Sequence, residues 1–341
     1  MVQWKPLVLN FELTTACPLR CPQCYCSLEG GKHLNLDLAK RYVDQAADLG
    51  TRYLNLSGGE TLCYPYLYEL IRYAAPKMKE ISVSLSGALF DQSAYEKLVS
   101  AGVCNICVSL NGSIPEINAL TRDGYDLAIR ALSILHENHF DHVILNWVMH
   151  SNNANDFPNI VALAERYEVS MIDVMGLKPD AAMDMKTFPS KEQILSISSF
   201  IRAHRGRVKI AVETCYSPFA ALHMQTKLFG NMNVGEQKGC AAGRTAMSVT
   251  VDGAFTPCRH IMIEERFPDM ASYWHQSATL VKLRGLDELR REPCLSCKYQ
   301  DNCRHCQAIS MASSSDLYLG FQGCPVYEPR EEVTQEATGI A

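Results

Sequence analysis

Cysteine sets this chain apart, at 15 of 341 positions. Three of them fall in Phe11-Glu-Leu-Thr-Thr-Ala-Cys17-Pro-Leu-Arg-Cys21-Pro-Gln-Cys24-Tyr25, directly after an apolar run from Leu7 to Leu13 that reads as a buried strand. Three thiolates on one short loop can hold three irons of a 4Fe-4S cube and leave the fourth iron open to another ligand. A structural zinc site closes all four positions, so a lone trio makes a poor zinc finger. A second group, Cys240, Cys258, Cys294, Cys297, Cys303, Cys306 and Cys324, fills the C-terminal part. In isolation Cys294, Cys297, Cys303 and Cys306 would also suit a zinc ribbon.

The stretch Tyr53-Leu-Asn-Leu-Ser57-Gly58-Gly59-Glu60 reads as a strand ending in a glycine pair and a carboxylate, where missing side chains let backbone approach a ligand closely. Its bland reading is an ordinary strand-to-helix turn. Placed one strand after the cysteine loop, it resembles the Gly-Gly-Glu of the radical S-adenosylmethionine (SAM) superfamily, whose signature the spacing of Cys17, Cys21 and Cys24 also resembles. The resemblance implies that SAM chelates the open iron through its amino and carboxylate groups. One electron from the cluster then releases a 5′-deoxyadenosyl radical, which abstracts hydrogen from the substrate. It further implies that Gly58, Gly59 and Glu60 bind the SAM amino group. Two more strand ends, Ile81-Ser-Val-Ser-Leu-Ser86-Gly87 and Ile106-Cys-Val-Ser109-Leu-Asn111-Gly112, resemble the polar segments lining that pocket, which implicates Ser86 and Ser109. Asn111 stands where an Asp is usual in this branch, and no acid role is carried over to it. Arg130 lies where related enzymes place an arginine for the SAM carboxylate; a solvated helix charge is the competing reading.

In the second group, Asp252-Gly253 inside Met247-Ser-Val-Thr-Val-Asp-Gly-Ala-Phe-Thr256 reads as a hairpin turn. With the seven cysteines, this part resembles the SPASM domain, an extension that carries two auxiliary iron–sulfur clusters. Two residues separate Cys303 from Cys306, where three are usual. By this resemblance the distal cluster takes Cys294, Cys297, Cys303 and Cys324, and the proximal one Cys240, Cys258 and Cys306. The proximal cluster then has an open iron, which Cys215 or a substrate group could complete. Three 4Fe-4S clusters and SAM are the implied cofactors. Cys26, Cys63, Cys104 and Cys107 have no partner at convincing spacing and read as small buried hydrophobes.

These motifs need a scaffold. Strands read at Leu7 to Leu13, Tyr53 to Ser57, Ile81 to Leu85, Ile106 to Leu110, His142 to Val148 and Ser170 to Met175, alternating with helical patterns such as Leu36 to Leu49 and Leu127 to Asn138. Six such units imply an α/β protein with a parallel sheet and helical crossovers. The superfamily resemblance makes this a partial (β/α)6 barrel over residues 1–180, with its site at the carboxyl ends of the strands. A bridging region over 181–235, with a helix from Lys191 to His204 and a strand from Val208 to Glu213, leads to the cysteine-rich domain at 236–330. A polar tail occupies 331–341. With 47% hydrophobic residues the chain can bury a substantial core. It shows no cleavable leader, no long apolar span and no basic stretch, and its formal net charge is −5; membrane and nucleic-acid partners are therefore not expected. Many cysteines in such a chain suit a cytoplasmic, reducing setting better than disulfides.

The SPASM resemblance points to substrates that are mostly peptides or proteins. Sulfatase-maturing members carry an Asp immediately after the second SPASM cysteine, and this chain has Arg259 there. That argues against formylglycine chemistry and favours a maturase of ribosomally made precursor peptides, as crosslinker or as splicease; a sulfatase-maturase-like enzyme and a small-molecule radical dehydrogenase or epimerase are the alternatives. The first strand begins almost at once, so leader-peptide recognition is expected from a separate small protein; a flavodoxin or ferredoxin is expected as electron donor. His150, Asp173 and Arg259 are the weak catalytic candidates, and Asn146, Met175, Lys178 and Glu213 further strand-end residues facing a substrate. A non-catalytic iron–sulfur or zinc protein is the reading from another class, and the Gly58-Gly59-Glu60 strand end, useless to a pure electron carrier, disfavours it.

Overall fold

A computed structural model describes residues 4–26, 30–178, 187–213, 239–301 and 303–330. Cys215 and the tail from 331 lie outside the described residues. Strands and helices alternate as β1 (Val8–Glu12), α1 (Leu36–Asp48), β2 (Tyr53–Ser57), α2 (Leu67–Ala74), β3 (Glu80–Leu85), α3 (Gln92–Ala101), β4 (Asn105–Ser109), α4 (Pro115–Ala119), α5 (Tyr125–Glu137), β5 (Val143–Met149), α6 (Phe157–Arg166), β6 (Met171–Gly176), α7 (Lys191–Ala203) and β7 (Lys209–Val212). All six expected strand–helix units form, with ends displaced by a residue or so.

The strands alternate in character because their two faces meet different surroundings. Outward residues are apolar and covered by helices: Val83, Val108, Leu145, Trp147, Ile172 and Val174 have no exposed surface. The helices return matching stripes, as in α1 with Ala39, Tyr42, Val43 and Ala46 on its buried face. Inward residues are largely polar and bond across the strands. Asn55 donates to Asn10 Oδ1 at 3.0 Å and Asn105 to Ser82 Oγ at 3.1 Å. A parallel sheet covered on both faces would be apolar throughout; the polar inner face here belongs to a partial barrel whose interior opens into a cavity.

Among the described residues the sheet has nine strands in the order β7-β6-β5-β4-β3-β2-β1-β8-β9, where β8 is Ala246–Val249 and β9 is Phe255–Thr256. β8 and β9 are the expected hairpin, turning at Gly253 with φ of 77°. The hairpin is not set apart from the barrel. β8 pairs in parallel with β1, from Val8 opposite Ala246 to Phe11 opposite Val249, and Tyr42 of α1 donates its hydroxyl to the Gly253 carbonyl at 3.0 Å. Beyond it come α8 (Met270–Gln276), α9 (Ala278–Arg284), α10 (Leu286–Leu289) and α11 (Gln307–Ser314). Asp269 and Ser277 cap the first two by accepting from Ser272 N and Leu280 N. Among the described residues no helix is long and apolar enough to cross a membrane.

Candidate active site

The loop of Cys17, Cys21 and Cys24 is seated by backbone. Leu13 N donates to Ser57 O, Gly59 N to Thr14 O and Glu60 N to Ala16 O, so the chain after β1 follows the end of β2. This explains the glycine pair. A Cβ on Gly58 would lie 2.5 Å from Thr14 O, and one on Gly59 2.4 Å from Ala16 O. The missing side chains admit the cysteine loop itself, a closer demand than room for a ligand. On the other side Arg20 N donates to Asp123 Oδ2 and Gln23 N to Thr121 O, which docks the loop on the turn before α5.

The loop covers an open cavity at the carboxyl ends of the strands. Cys17, Cys21 and Cys24 line it together with Gly58, Gly59, Ser86, Ser109 and Asn111. Asn111 is wholly buried; its side chain donates to Thr121 Oγ1 and accepts from Val148 N, so it braces strand ends. Arg122 and Gln23 also line the cavity, and Arg122 Nε and Gln23 Oε1 are buried without a hydrogen-bond partner. Orphaned polar atoms of this kind fit a ligand bearing both donors and acceptors. Cys24 is pushed down to about 6 by a hydrogen bond from Cys26, aided by Arg122 and Arg20, while Cys26 is held up by the same pairing and by burial. The thiolate is thus favoured at one of the three positions that would hold iron.

Several expected residues sit elsewhere. Glu60 has no exposed surface and is absent from the cavity wall; its carboxylate accepts from Ser86 N at 2.9 Å, from Leu62 N at 3.2 Å and from the Ser86 hydroxyl. Burial raises its pKa against those bonds. Arg130 is exposed on α5 and outside the wall, where Arg122 stands instead. His150 also lies outside the wall: its Nδ1 accepts from Asn152 N at 3.1 Å, a loop-organising role, and burial lowers its pKa. Asp173 faces the barrel interior below the cavity, pushed up to about 7 by burial and by Glu213, against the pull of Lys178. Cys26 is a cavity residue rather than core filler, donating its thiol to Gly58 O at 3.3 Å.

Arg259 and His260 reach the same cavity from the C-terminal part, and Lys178 from the end of β6. Arg259 donates to Ser57 Oγ at 2.5 Å. His260 packs against Tyr25 with ring centroids 4.2 Å apart, and burial with the cations Lys178 and Arg259 pushes its pKa down. Lys178 donates to Gly176 O at 2.8 Å and pairs with Glu213. Among the described residues the charged ones of the wall are Arg122, Lys178 and Arg259, all cationic. Sequence reasoning missed Arg122, Gln23, Tyr25, Cys26 and His260; only His260, adjoining Arg259, carried a local hint.

The seven C-terminal cysteines fall into two neighbourhoods. Cys240, Cys258 and Cys306 are enclosed and lie in one another's field; burial, foremost, pushes Cys258 up to about 11. Cys294, Cys297, Cys303 and Cys324 surround a second, smaller cavity, and burial with mutual repulsion pushes Cys324 up to about 12. Among the described residues no three Cys, His, Asp or Glu side chains converge as a single metal ion would require. A cube asks less, since each thiol meets its own iron.

A partial barrel with a cysteine loop at its carboxyl rim defines a class of enzyme, and residues 11–164 match the model of the Radical SAM superfamily. Its site is for SAM and a 4Fe-4S cluster. Among individual proteins, the chain is 26% identical to the AdoMet-dependent heme synthase of Methanosarcina barkeri, over 95% of this chain and 97% of that one. It is 27% identical to the PqqA peptide cyclase of Granulibacter bethesdensis, over 97% and 90%. Streptococcus suis SuiB bound to its precursor peptide SuiA shares the fold, with a TM-score of 0.74 at 17% identity, over 95% of this chain and 76% of that one. So does anSMEcpe with bound AdoMet and a peptide, with a TM-score of 0.67 at 15% identity, over 92% and 91%.

Proposed function

We propose that this enzyme modifies a ribosomally made precursor peptide, forging a crosslink within it, and that its C-terminal part is a SPASM domain with two auxiliary 4Fe-4S clusters. The observation that carries this reading is the shared cavity. Arg259 and His260, which follow Cys258 directly, line the same wall as Cys17, Cys21 and Cys24, so a peptide side chain held there lies between the two cysteine groups. When bound, SAM and its cluster supply a hydrogen-abstracting 5′-deoxyadenosyl radical, and the auxiliary clusters an electron sink. Cys17, Cys21 and Cys24 would hold the first cluster, with Arg122 toward the SAM carboxylate. Cys240, Cys258 and Cys306 would hold the proximal cluster and Cys294, Cys297, Cys303 and Cys324 the distal one. Arg259, braced by Ser57, and Lys178, braced by Gly176 and Glu213, offer fixed cations to an acidic side chain of the substrate. A flavodoxin or ferredoxin would supply electrons and a separate small protein the leader peptide.

The peptide cyclase relative and the two peptide-bound structures of this fold support the peptide reading. The heme synthase relative, matched over nearly its whole length, favours a second: radical oxidation of a small anionic molecule in the same cationic cavity. Co-expression with short peptides encoded beside this gene, followed by mass spectrometry, separates the two. The expected result is a peptide lighter by two hydrogens for each bond formed. No change in any peptide, with 5′-deoxyadenosine production stimulated by an iron tetrapyrrole precursor, would establish the second reading.

A further inference from the structure

The smaller cavity ringed by Cys294, Cys297, Cys303 and Cys324 has a buried imidazole in its wall. His305 lines it and is 1% exposed, and neither Nδ1 nor Nε2 has a hydrogen-bond partner. The Leu317 backbone comes near enough to the ring for a loose hydrogen bond, yet neither ring nitrogen meets it in hydrogen-bond geometry. An imidazole carries one donor and one acceptor even when neutral, and leaving both unmet in a dry interior is costly. The backbone compounds the cost. His305 has φ of 44°, in the left-handed region that non-glycine residues seldom occupy. It is held there by its neighbours: its N–H donates to Cys303 Sγ at 3.5 Å, and its carbonyl accepts from Gln307 Nε2 at 3.0 Å. A strained backbone thus delivers an unpartnered ring to the wall where four thiols gather.

We infer that His305 donates a ring N–H to a sulfur of the distal auxiliary cluster and tunes that cluster's reduction potential. The inference rests on the proposed ligation of that cluster by the four cysteines. Four thiols already supply one ligand for each iron of a cube, which leaves the ring the role of donor to sulfur. Such a donor stabilises the more negative, reduced cluster and so raises its potential. His305 is in this sense a positioning residue, which acts on electrons through the cluster and touches no substrate.

The test uses the full-length protein, anaerobically reconstituted with iron and sulfide. Replacing Cys294 and Cys297 together by Ala should remove about four irons and one paramagnetic signal, which identifies the distal cluster. Iron content and signals unchanged in that variant would defeat the distal-cluster reading itself, whatever His305 does. His305→Phe keeps a flat ring without the donor. In a potentiometric titration followed by electron paramagnetic resonance, it should cut the reduced-to-oxidised ratio of the distal cluster at fixed potential about tenfold, a fall of 59 mV for a one-electron couple. The wild type should show a weak nitrogen coupling and an exchangeable proton coupling on that signal, both lost in the variant. His305→Gln keeps an N–H and should fall between the two, which preserves the test where the Phe variant folds poorly. An unchanged potential in both variants would overturn the inference, and so would a strong nitrogen coupling diagnostic of iron ligation.

Discussion

On the proposed reading of the cavity, Glu60 and Arg122 divide the labour at the SAM site in a way that their positions along the chain conceal. The Glu60 carboxylate ties the end of β2 to the end of β3 through Ser86 and caps its own turn through Leu62 N, whereas Arg122 keeps an unpaired Nε on the cavity wall. Replacing Arg122 by Leu removes a charge-assisted bond worth about 1.5–3 kcal/mol, so SAM should bind about tenfold more weakly or worse with little change in melting temperature. Glu60→Ala should do the reverse at first order. It strands the N–H groups of Ser86 and Leu62 and lowers stability by about 1–3 kcal/mol. Calorimetry of SAM binding and thermal melts of both variants read the contrast, and equal SAM affinity in wild type and the Arg122 variant would move the carboxylate site elsewhere. Residue spacing alone pointed to Arg130 because it measures distance along a helix. It does not register that Gly124, with φ of 79°, opens α5 from a turn that carries Arg122 to the cavity.

At the scale of elements, the seating of the cysteine loop on β2 is the contact on which the site depends. A methyl group at Gly59 would collide with the Ala16 carbonyl and press on Cys17 Cβ, 3.1 Å away, so Gly59→Ala should displace the loop and lose about four irons while the auxiliary signals persist. Iron analysis with electron paramagnetic resonance checks this, and full retention of iron would show that the loop yields cheaply. The alternating units were legible because each strand carries an apolar outer face and each helix an apolar stripe, and Tyr53–Ser57 was read residue for residue. Two features were not legible. The parallel seat of β8 beside β1 is a tertiary choice between strands more than two hundred residues apart, on which local pattern is silent. The helices α8 to α11 run only seven, seven, four and eight residues, too short for a 3.6-residue period to stand out.

For the whole molecule, the consequence of that β8 seat is that the C-terminal part reaches the barrel's cavity through Arg259 and His260, directly after Cys258. β8 fixes the hairpin against β1, and the segment leaving β9 carries Cys258, Arg259 and His260 over the mouth of the barrel. From the far side, Lys178 after β6 and Glu213 after β7 extend their fields to Cys306, so both edges of the barrel frame the proximal group. Binding at the two ends is nonetheless separable among the described residues, because Cys17, Cys21 and Cys24 are seated by β2 and the turn before α5, and the C-terminal part is tied to β2 there by the Arg259 side chain on Ser57 Oγ and by no hydrogen bond of Cys258. Cys258→Ala should therefore leave SAM cleavage to 5′-deoxyadenosine within about twofold of wild type, the variation usual for a change outside a site, while peptide modification is lost with the proximal cluster's spectrum. Chromatography of the nucleoside and mass spectrometry of the co-expressed peptide measure the two outcomes in one sample. Full product formation by this variant would reduce the proximal group to a structural staple, and loss of SAM cleavage as well would mean that the two ends fold as one cooperative unit.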